Sequence, residues 1–109
     1  WASFILSHYV REAGVFTLPQ AIKKMTADPA AVIGLKDRGI LKTGMKADIN
    51  VFSPEDVTEL QPILVNDFPD EAPRYIQKSR GFKATIVNGH INVLDGEPTG
   101  ARAGEVLRH

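Results

Sequence analysis

Two β-forming runs joined by Asn88-Gly89 constrain the fold of this 109-residue chain more than any other feature. The runs extend from Phe82 to Val87 and from His90 to Leu94 and contain several β-branched residues. A two-residue Asn-Gly connection favours a type I′ turn, because both residues accept the positive φ angles of that turn. The sequence therefore predicts an antiparallel hairpin, closed after its second strand by Asp95-Gly96.

A third strand is predicted from Asp48 to Ser53, where alternating side chains place Ile49 and Val51 on one face. The proline-spaced segment Pro54–Arg80 separates this strand from the hairpin. The pattern predicts a long irregular excursion there, with one short helical turn at Glu55–Glu59. Compact domains seldom carry a structureless loop of this length unless it packs on something or covers a site.

The first third of the chain has helical periodicity. Apolar residues recur at spacings of three and four from Ser3 to Ala13, which predicts an amphipathic helix. A second helix is predicted from Leu18 to Ala27, with Thr17 as its N-cap in a capping box. A third, shorter helix is predicted to run to Ile33 from an N-cap at Asp28.

These elements predict a fold of the α+β class with at most three strands. A sheet this small is stable only when one face is packed and its edges are protected. We therefore expect apolar surface to remain exposed unless another chain or segment covers it. The chain also opens at Trp1 within a helical pattern, so we expect it to be a piece of a longer polypeptide.

Composition excludes several classes of function for this chain. The 13 basic and 13 acidic side chains cancel, and neither sign forms a block, so no nucleic acid and no membrane surface is expected as a partner. The longest apolar runs are too short to cross a bilayer. Cysteine is absent, which excludes disulfides and thiolate metal ligands. The predicted location is cytoplasmic.

No set of residues in the sequence converges on an active site. His8, His90 and His109 are far apart in the sequence, whereas a closed metal site needs three or four ligands. Glu12 follows His8 by four residues, so the two are better interpreted as a surface pair on a helix. We therefore predict no catalytic, cofactor-binding or metal-binding residue in this segment.

The acidic residues of the excursion have a functional and a structural interpretation. Asp67, Asp70 and Glu71 could gate a substrate or bind a cation. A solvated loop, with its charge balanced by Arg74 and Lys78, is the favoured interpretation.

Two further polar residues are interpreted as structural. Arg102 lies in a glycine-rich tail and could bind a carboxylate through its forked guanidinium group. The favoured role is to pin the tail by bonding backbone carbonyls. Asp48 precedes the third strand and is predicted to have a structural role, accepting hydrogen bonds from turn amides that are nearby in the sequence.

Two motifs carry a resemblance to a known family. The run "GILKTGMKADINVF" at 39–52 resembles a closing segment found in many metal-dependent amidohydrolases. The run "DGEPTGARAGEVLR" at 95–108 is more specific and resembles the D-aminoacylase (N-acyl-D-amino-acid deacylase) branch. The resemblance extends over nearly the whole chain in a consistent order.

The resemblance implies a division of the chain. Residues 1–35 would be terminal helices of a TIM-like catalytic barrel. Residues 36–109 would be the C-terminal part of a small β-domain, with the irregular excursion at 54–80. That domain is a composite β-sandwich in the family, so the implied partners are the N-terminal barrel and β-strands of the same parent protein.

The resemblance also implies an activity for the parent protein, which is hydrolysis of the linear amide bond of N-acyl-D-amino acids. A zinc-activated water attacks the amide carbonyl in such enzymes, and the metal ligands and catalytic aspartate lie upstream of this segment. The segment alone is expected to be inactive and to bind no zinc. Three alternatives stay open: a free-standing binding module, a segment that docks on a separately encoded barrel, and a segment of a branch that acts on cyclic amides.

Overall fold

The computed structural model describes residues 1–107, and its first third is helical as predicted. Helix α1 (Ala2–Phe4) continues directly into a π-helix, Ile5–Glu12. Helices α2 (Leu18–Met25) and α3 (Ala27–Val32) follow. No helix among residues 1–107 is long and apolar enough to cross a membrane.

The π-helix shifts the buried face that α-helical spacing predicts. Its hydrogen bonds join residues five apart, and Ala13 N donates to His8 O at its end, at 2.8 Å. A turn of this kind holds more residues than an α-turn, so side chains drift away from the 3.6-residue period. Leu6 and Ser7 are buried, whereas Ala13, the last residue of the predicted apolar spacing, is exposed.

The N-terminus of α2 has the predicted capping box. Gln20 N donates to Thr17 Oγ1 at 3.4 Å, and Thr17 N donates to Gln20 Oε1 at 2.9 Å. The predicted N-cap of α3 is wrong. Thr26 takes that position because its carbonyl already accepts from Ala30 N at 3.1 Å, and this places Asp28 in the first turn.

Within residues 1–107, eight strands form three antiparallel sheets, so the expectation of at most three strands is wrong. They are β1 (Ile49–Phe52), β2 (Thr58–Glu59), β3 (Ile63–Val65), β4 (Arg74–Ile76), β5 (Ser79–Arg80), β6 (Phe82–Val87), β7 (His90–Leu94) and β8 (Glu97–Pro98). The main sheet has the order β1-β6-β7-β8, β2 pairs with β5, and β3 pairs with β4.

The predicted hairpin is confirmed to the residue as β6 and β7. Asn88 and Gly89 have φ angles of 48° and 82°, as a type I′ turn requires. Asp95 and Gly96 repeat this geometry, with φ of 48° and 87°. They therefore return the chain as β8 instead of simply ending the second strand.

The segment 54–80 is a two-stranded ribbon, not the irregular excursion that was predicted. Leu64 lies opposite Tyr75 in the pairing of β3 with β4. The helical turn predicted at Glu55–Glu59 lies two residues earlier, where Val57 N donates to Ser53 O at 2.9 Å, four positions back. Thr58 and Glu59 instead pair with β5. Strands of two or three residues are too short to show an alternating pattern of side chains, so these strands could not be predicted from the sequence.

The helices are joined to the ribbon by buried and bonded contacts. Arg11 Nη1 donates to Pro54 O at 3.0 Å and to Val57 O at 2.7 Å. Ser7 Oγ donates to Glu59 Oε2 at 3.0 Å. Val57 is fully buried at this contact, so the base of the ribbon forms the link between helices and sheet.

The expectation of exposed apolar surface is confirmed. The buried apolar residues are only Leu6, Ala21, Ala30 and Val57 among those described. The accessible surface is 8281 Å², whereas a compact monomer of 11.9 kDa exposes about 5,900 Å². The Cα radius of gyration is 15.9 Å, against about 13 Å for a compact domain of this length. Side chains exposed by 74% to 87% include Trp1, Val32, Leu41, Tyr75 and Val106.

Candidate functional site

His8 forms the predicted surface pair with Glu12. Its Nδ1 lies 3.0 Å from Glu12 Oε2, and both side chains are about half exposed. The His8 ring stacks on Phe4 at 5.0 Å between centroids and meets Tyr9 edge-on at 5.2 Å. The imidazole is therefore held by neighbours on its own helix.

The other histidines do not complete a site with His8. His90 is exposed at the start of β7, and His109 lies outside the described residues. Among residues 1–107, no three His, Asp or Glu side chains form a group that could hold a metal ion. The described residues thus offer no set of ligands that fits a zinc ion. That the whole chain contributes no site residue stays a prediction.

The acidic residues of the ribbon are separated by their local geometry. Asp67 accepts from Arg74 Nε and Nη2, both at 2.6 Å, and the Arg74 guanidinium lies 5.1 Å from the centre of the Phe68 ring. This bidentate bond lowers the pKa of the Asp67 carboxyl and raises that of Arg74. Asp70 and Glu71 lie at the exposed tip, with φ angles of 58° and 55°. The bonded pair Asp67 and Arg74 therefore stabilises the end of the ribbon.

A polar junction, formed by Arg38, Lys46, Asp48, Asn88 and Glu105, joins four distant parts of the chain. Asp48 Oδ1 accepts from the Asn88 backbone amide and Asp48 Oδ2 from Arg38 Nη1, each at 2.8 Å. The structural role predicted for Asp48 is confirmed, although the amide it bonds is 40 positions away. The space inside the junction is ≈10 Å³, too small for an organic ligand.

Glu105 holds the C-terminal tail to this junction. Its carboxylate accepts from Lys46 Nζ at 3.2 Å and from Asn88 Nδ2 at 3.5 Å. Arg102, predicted to pin the tail, is exposed, and no hydrogen bond from its side chain appears in the described structure. The sequence pattern did not reveal Glu105, because its partners lie 59 and 17 positions away.

One cleft of ≈190 Å³ lies between the π-helix and the turn after β1. Its lining is mostly apolar: Leu6, Val10, Arg11, Leu18, Pro54 and Glu55. Ligand pockets for organic molecules are usually about 300 Å³ or larger. Arg11 is already bonded to two carbonyls, and Glu55 accepts a hydrogen bond from Ser53 Oγ at 3.2 Å, so the cleft offers mainly packing surface.

Sequence reasoning missed Ser7 and Arg11, the two residues that tie the helices to the ribbon. A serine inside an apolar helix face is the only signal that could have indicated a buried partner for Ser7. Nothing in the sequence indicated the carbonyl partners of Arg11, since they lie 43 and 46 positions away.

Comparison with known proteins places these features in a family. The chain matches the model of the amidohydrolase family over residues 2–93. It is 43% identical over 110 residues to an N-acyl-D-aspartate deacylase and 41% identical to an N-acyl-D-glutamate deacylase, both from Alcaligenes xylosoxydans xylosoxydans. These alignments cover 98% and 99% of this chain but 20% of each relative. A dihydroorotase from Geobacter metallireducens is 47% identical over 90 residues, covering 82% of this chain and 21% of that protein.

Solved structures agree with the sequence matches. A crystal structure of D-aminoacylase superposes with a TM-score of 0.79 at 32% identity, covering 99% of this chain and 21% of that one. N-acyl-D-glutamate deacylase from Bordetella bronchiseptica, complexed with zinc and a phosphonate inhibitor, gives 0.62 at 34% identity, covering 88% and 19%. The chain thus spans about a fifth of the length of the relatives it matches. As the sequence motifs predicted, this chain belongs to the amidohydrolase family.

Proposed function

We propose that this chain is a scaffold segment of an N-acyl-D-amino-acid deacylase, an enzyme that hydrolyses a linear amide bond to a carboxylate and a free amine. Three relatives with 36% to 43% identity are deacylases or D-aminoacylases by name. Each alignment spans 20% or 21% of the relative, so most of the enzyme would lie outside the part that this chain represents.

The excess of exposed surface is the observation that carries this proposal. The chain exposes roughly 2,400 Å² more than a compact monomer of its mass. One partner in a standard protein interface buries about 800 Å², so the excess is the size of a large, permanent contact. Contact with the remainder of one enzyme accounts for such an area.

The exposed apolar residues indicate two places where that contact forms. On the helices, Val32 and Ile33 are exposed at the end of α3, where residues 1–35 would pack as terminal helices of a catalytic barrel. On the main sheet, Val51 of β1 and Leu94 of β7 are about half exposed. Residues 36–109 would form part of a small β-domain, and further strands of the same enzyme would cover this face as the second layer of a β-sandwich.

The metal chemistry of such an enzyme would come from residues outside this chain. The described residues offer no cluster of metal ligands, while one structural relative is complexed with zinc. We infer a zinc-dependent parent enzyme in which this segment supplies packing and holds no ligand. Its own hydrogen bonds, from Arg11 to the ribbon and from Lys46 to Glu105 of the tail, keep helices, sheet and tail in fixed relation.

Metal content and amide hydrolysis test this proposal together. The 109-residue chain and the complete enzyme that contains it are each assayed for bound zinc and for release of amines from N-acetyl-D- and N-acetyl-L-amino acids. We expect zinc and hydrolysis of D-substrates in the complete enzyme only. Stoichiometric zinc or amide hydrolysis in the 109-residue chain would contradict the scaffold role. A complete enzyme that hydrolyses none of the N-acetyl amino acids would contradict the proposed activity.

A second candidate substrate is a cyclic amide. The 47% identity to a dihydroorotase over 90 residues favours it. The same assay therefore includes dihydroorotate, and its ring opening is measured as a loss of the ultraviolet absorbance of the cyclic form. Turnover of dihydroorotate without turnover of N-acetyl-D-amino acids would place the enzyme in the cyclic-amide branch.

A further inference from the structure

Asn88 combines a reactive sequence with an unusual set of contacts. Of the four asparagines, at 50, 66, 88 and 92, only Asn88 is followed by glycine. Asparagine is chemically labile, and a following glycine removes the Cβ that would hinder the next backbone nitrogen from reaching the side-chain carbonyl. Gly89 is exposed and Asn88 is half-buried.

We propose that Asn88 is a deamidation site whose reaction is gated by the polar junction and whose product releases the tail. The Gly89 backbone nitrogen loses its proton to solvent and attacks Asn88 Cγ, and Nδ2 takes up a proton from solvent and leaves as ammonia. A cyclic succinimide results. Water then adds to one of the two succinimide carbonyls and opens the ring, leaving aspartate or isoaspartate at position 88.

The folded junction opposes the first step of this reaction. The Gly89 amide, which must act as the nucleophile, donates to Ala47 O at 3.0 Å. The backbone amide of Asn88 donates to Asp48 Oδ1 at 2.8 Å, and its side-chain Nδ2 donates to Glu105 Oε1 at 3.5 Å. The side chain and the Gly89 nitrogen can meet only after these bonds open, so local opening sets the rate.

The product is incompatible with the same junction. A carboxylate at position 88 would face Glu105 Oε1, where the amide group of Asn88 now donates, and would lie beside Asp48. The cations within reach are already bonded: Arg38 to Asp37 and Asp48, and Lys46 to Glu105. Like charges placed face to face repel, so conversion expels Glu105 and loosens residues 99–107.

The rate of conversion tests the gating. The intact protein is held at mildly alkaline pH, with and without denaturing urea, and the proteolytic peptides containing Asn88 and Asn66 are followed by mass spectrometry. We expect conversion at Asn88 alone, at least about tenfold slower in the folded protein, because several hydrogen bonds must open together. Equal rates with and without urea would overturn the gating, and the absence of conversion at Asn88 in urea would overturn the site itself.

The effect of the product is tested with Asn88→Asp, with Asn66→Asp as the matched control in the exposed ribbon. Tryptic cleavage of the folded protein after the exposed Arg102 is expected to quicken about twofold to fivefold in Asn88→Asp and to stay unchanged in Asn66→Asp, because a loosened tail enters the protease more readily. Glu105→Gln removes the opposing charge, so the double variant should be cleaved more slowly than Asn88→Asp. Unchanged cleavage at Arg102 in Asn88→Asp, or no recovery in the double variant, would refute the release of the tail.

Discussion

Replacing Gly81 by alanine should be among the most damaging single changes in this chain. Gly81 connects β5 to β6 and has a φ angle of 88°. A Cβ at this position would lie 2.5 Å from both Cα and N of Val57 and 2.8 Å from C of Asp56. All three atoms belong to backbone, so no side-chain rotation can relieve the contact.

The expected loss has two parts that a matched variant separates. A positive φ costs an L-residue about 1–2 kcal/mol, and Gly44 would incur only this part, because its φ is 89° and an added Cβ would meet nothing within 4 Å. Overpacking against fixed backbone adds about 1–3 kcal/mol at Gly81. Val57 is bonded through N to Ser53 and through O to Arg11, so moving it disturbs the link between ribbon and helices as well.

Urea unfolding followed by far-ultraviolet circular dichroism measures both variants in the same background. Gly81→Ala should lower the free energy of unfolding by about 1–3 kcal/mol more than Gly44→Ala does, with similar m-values. Adding Val57→Ala should not restore stability, since the clash is with backbone atoms. Equal losses in the two alanine variants would show that the close approach of Gly81 to Val57 is not a structural constraint.

Three further changes are predicted from single contacts. Arg11→Met removes two hydrogen bonds to carbonyls and should lower the free energy of unfolding by about 1–3 kcal/mol, whereas Lys36→Met, at an exposed turn, should leave it unchanged within about 0.5 kcal/mol. Thr17→Ala removes the N-cap oxygen of α2 and should cost about 1 kcal/mol, measured by the same urea titration. The pKa of Asp67 is lowered below 3.8 by Arg74, so the pair stabilises the fold fully above about pH 4 and less as pH falls through the lower folded value. The difference in thermal midpoint between the wild type and Asp67→Asn should accordingly be constant near neutral pH and shrink in acid, and a constant difference down to about pH 2 would argue against that shift.

The parts of the fold that sequence predicted are those fixed by neighbouring residues. The Asn88-Gly89 turn and the Thr17 capping box depend on positions within three residues of each other, and both appear as predicted. The ribbon was missed because its pairing joins residues about 10 to 20 positions apart through strands of two or three residues. The partners of Asp48 and Glu105 were missed because a hydrogen bond over tens of positions has no local pattern.

The residues of the two family motifs form contacts that join separate parts of the fold. In the motif at 39–52, a Cβ on Gly39 would lie 2.7 Å from Ala30 Cβ, so glycine there lets the linker close against α3. Asp48 of the same motif fixes the hairpin turn, and Glu105 of the motif at 95–108 bonds Lys46 across the junction. These residue types are required by backbone approach and charge pairing, and none of these contacts needs a substrate or a metal. Structural contacts of this kind can therefore give a segment a strong family pattern, because the joining of helices, linker, sheet and tail requires particular residues.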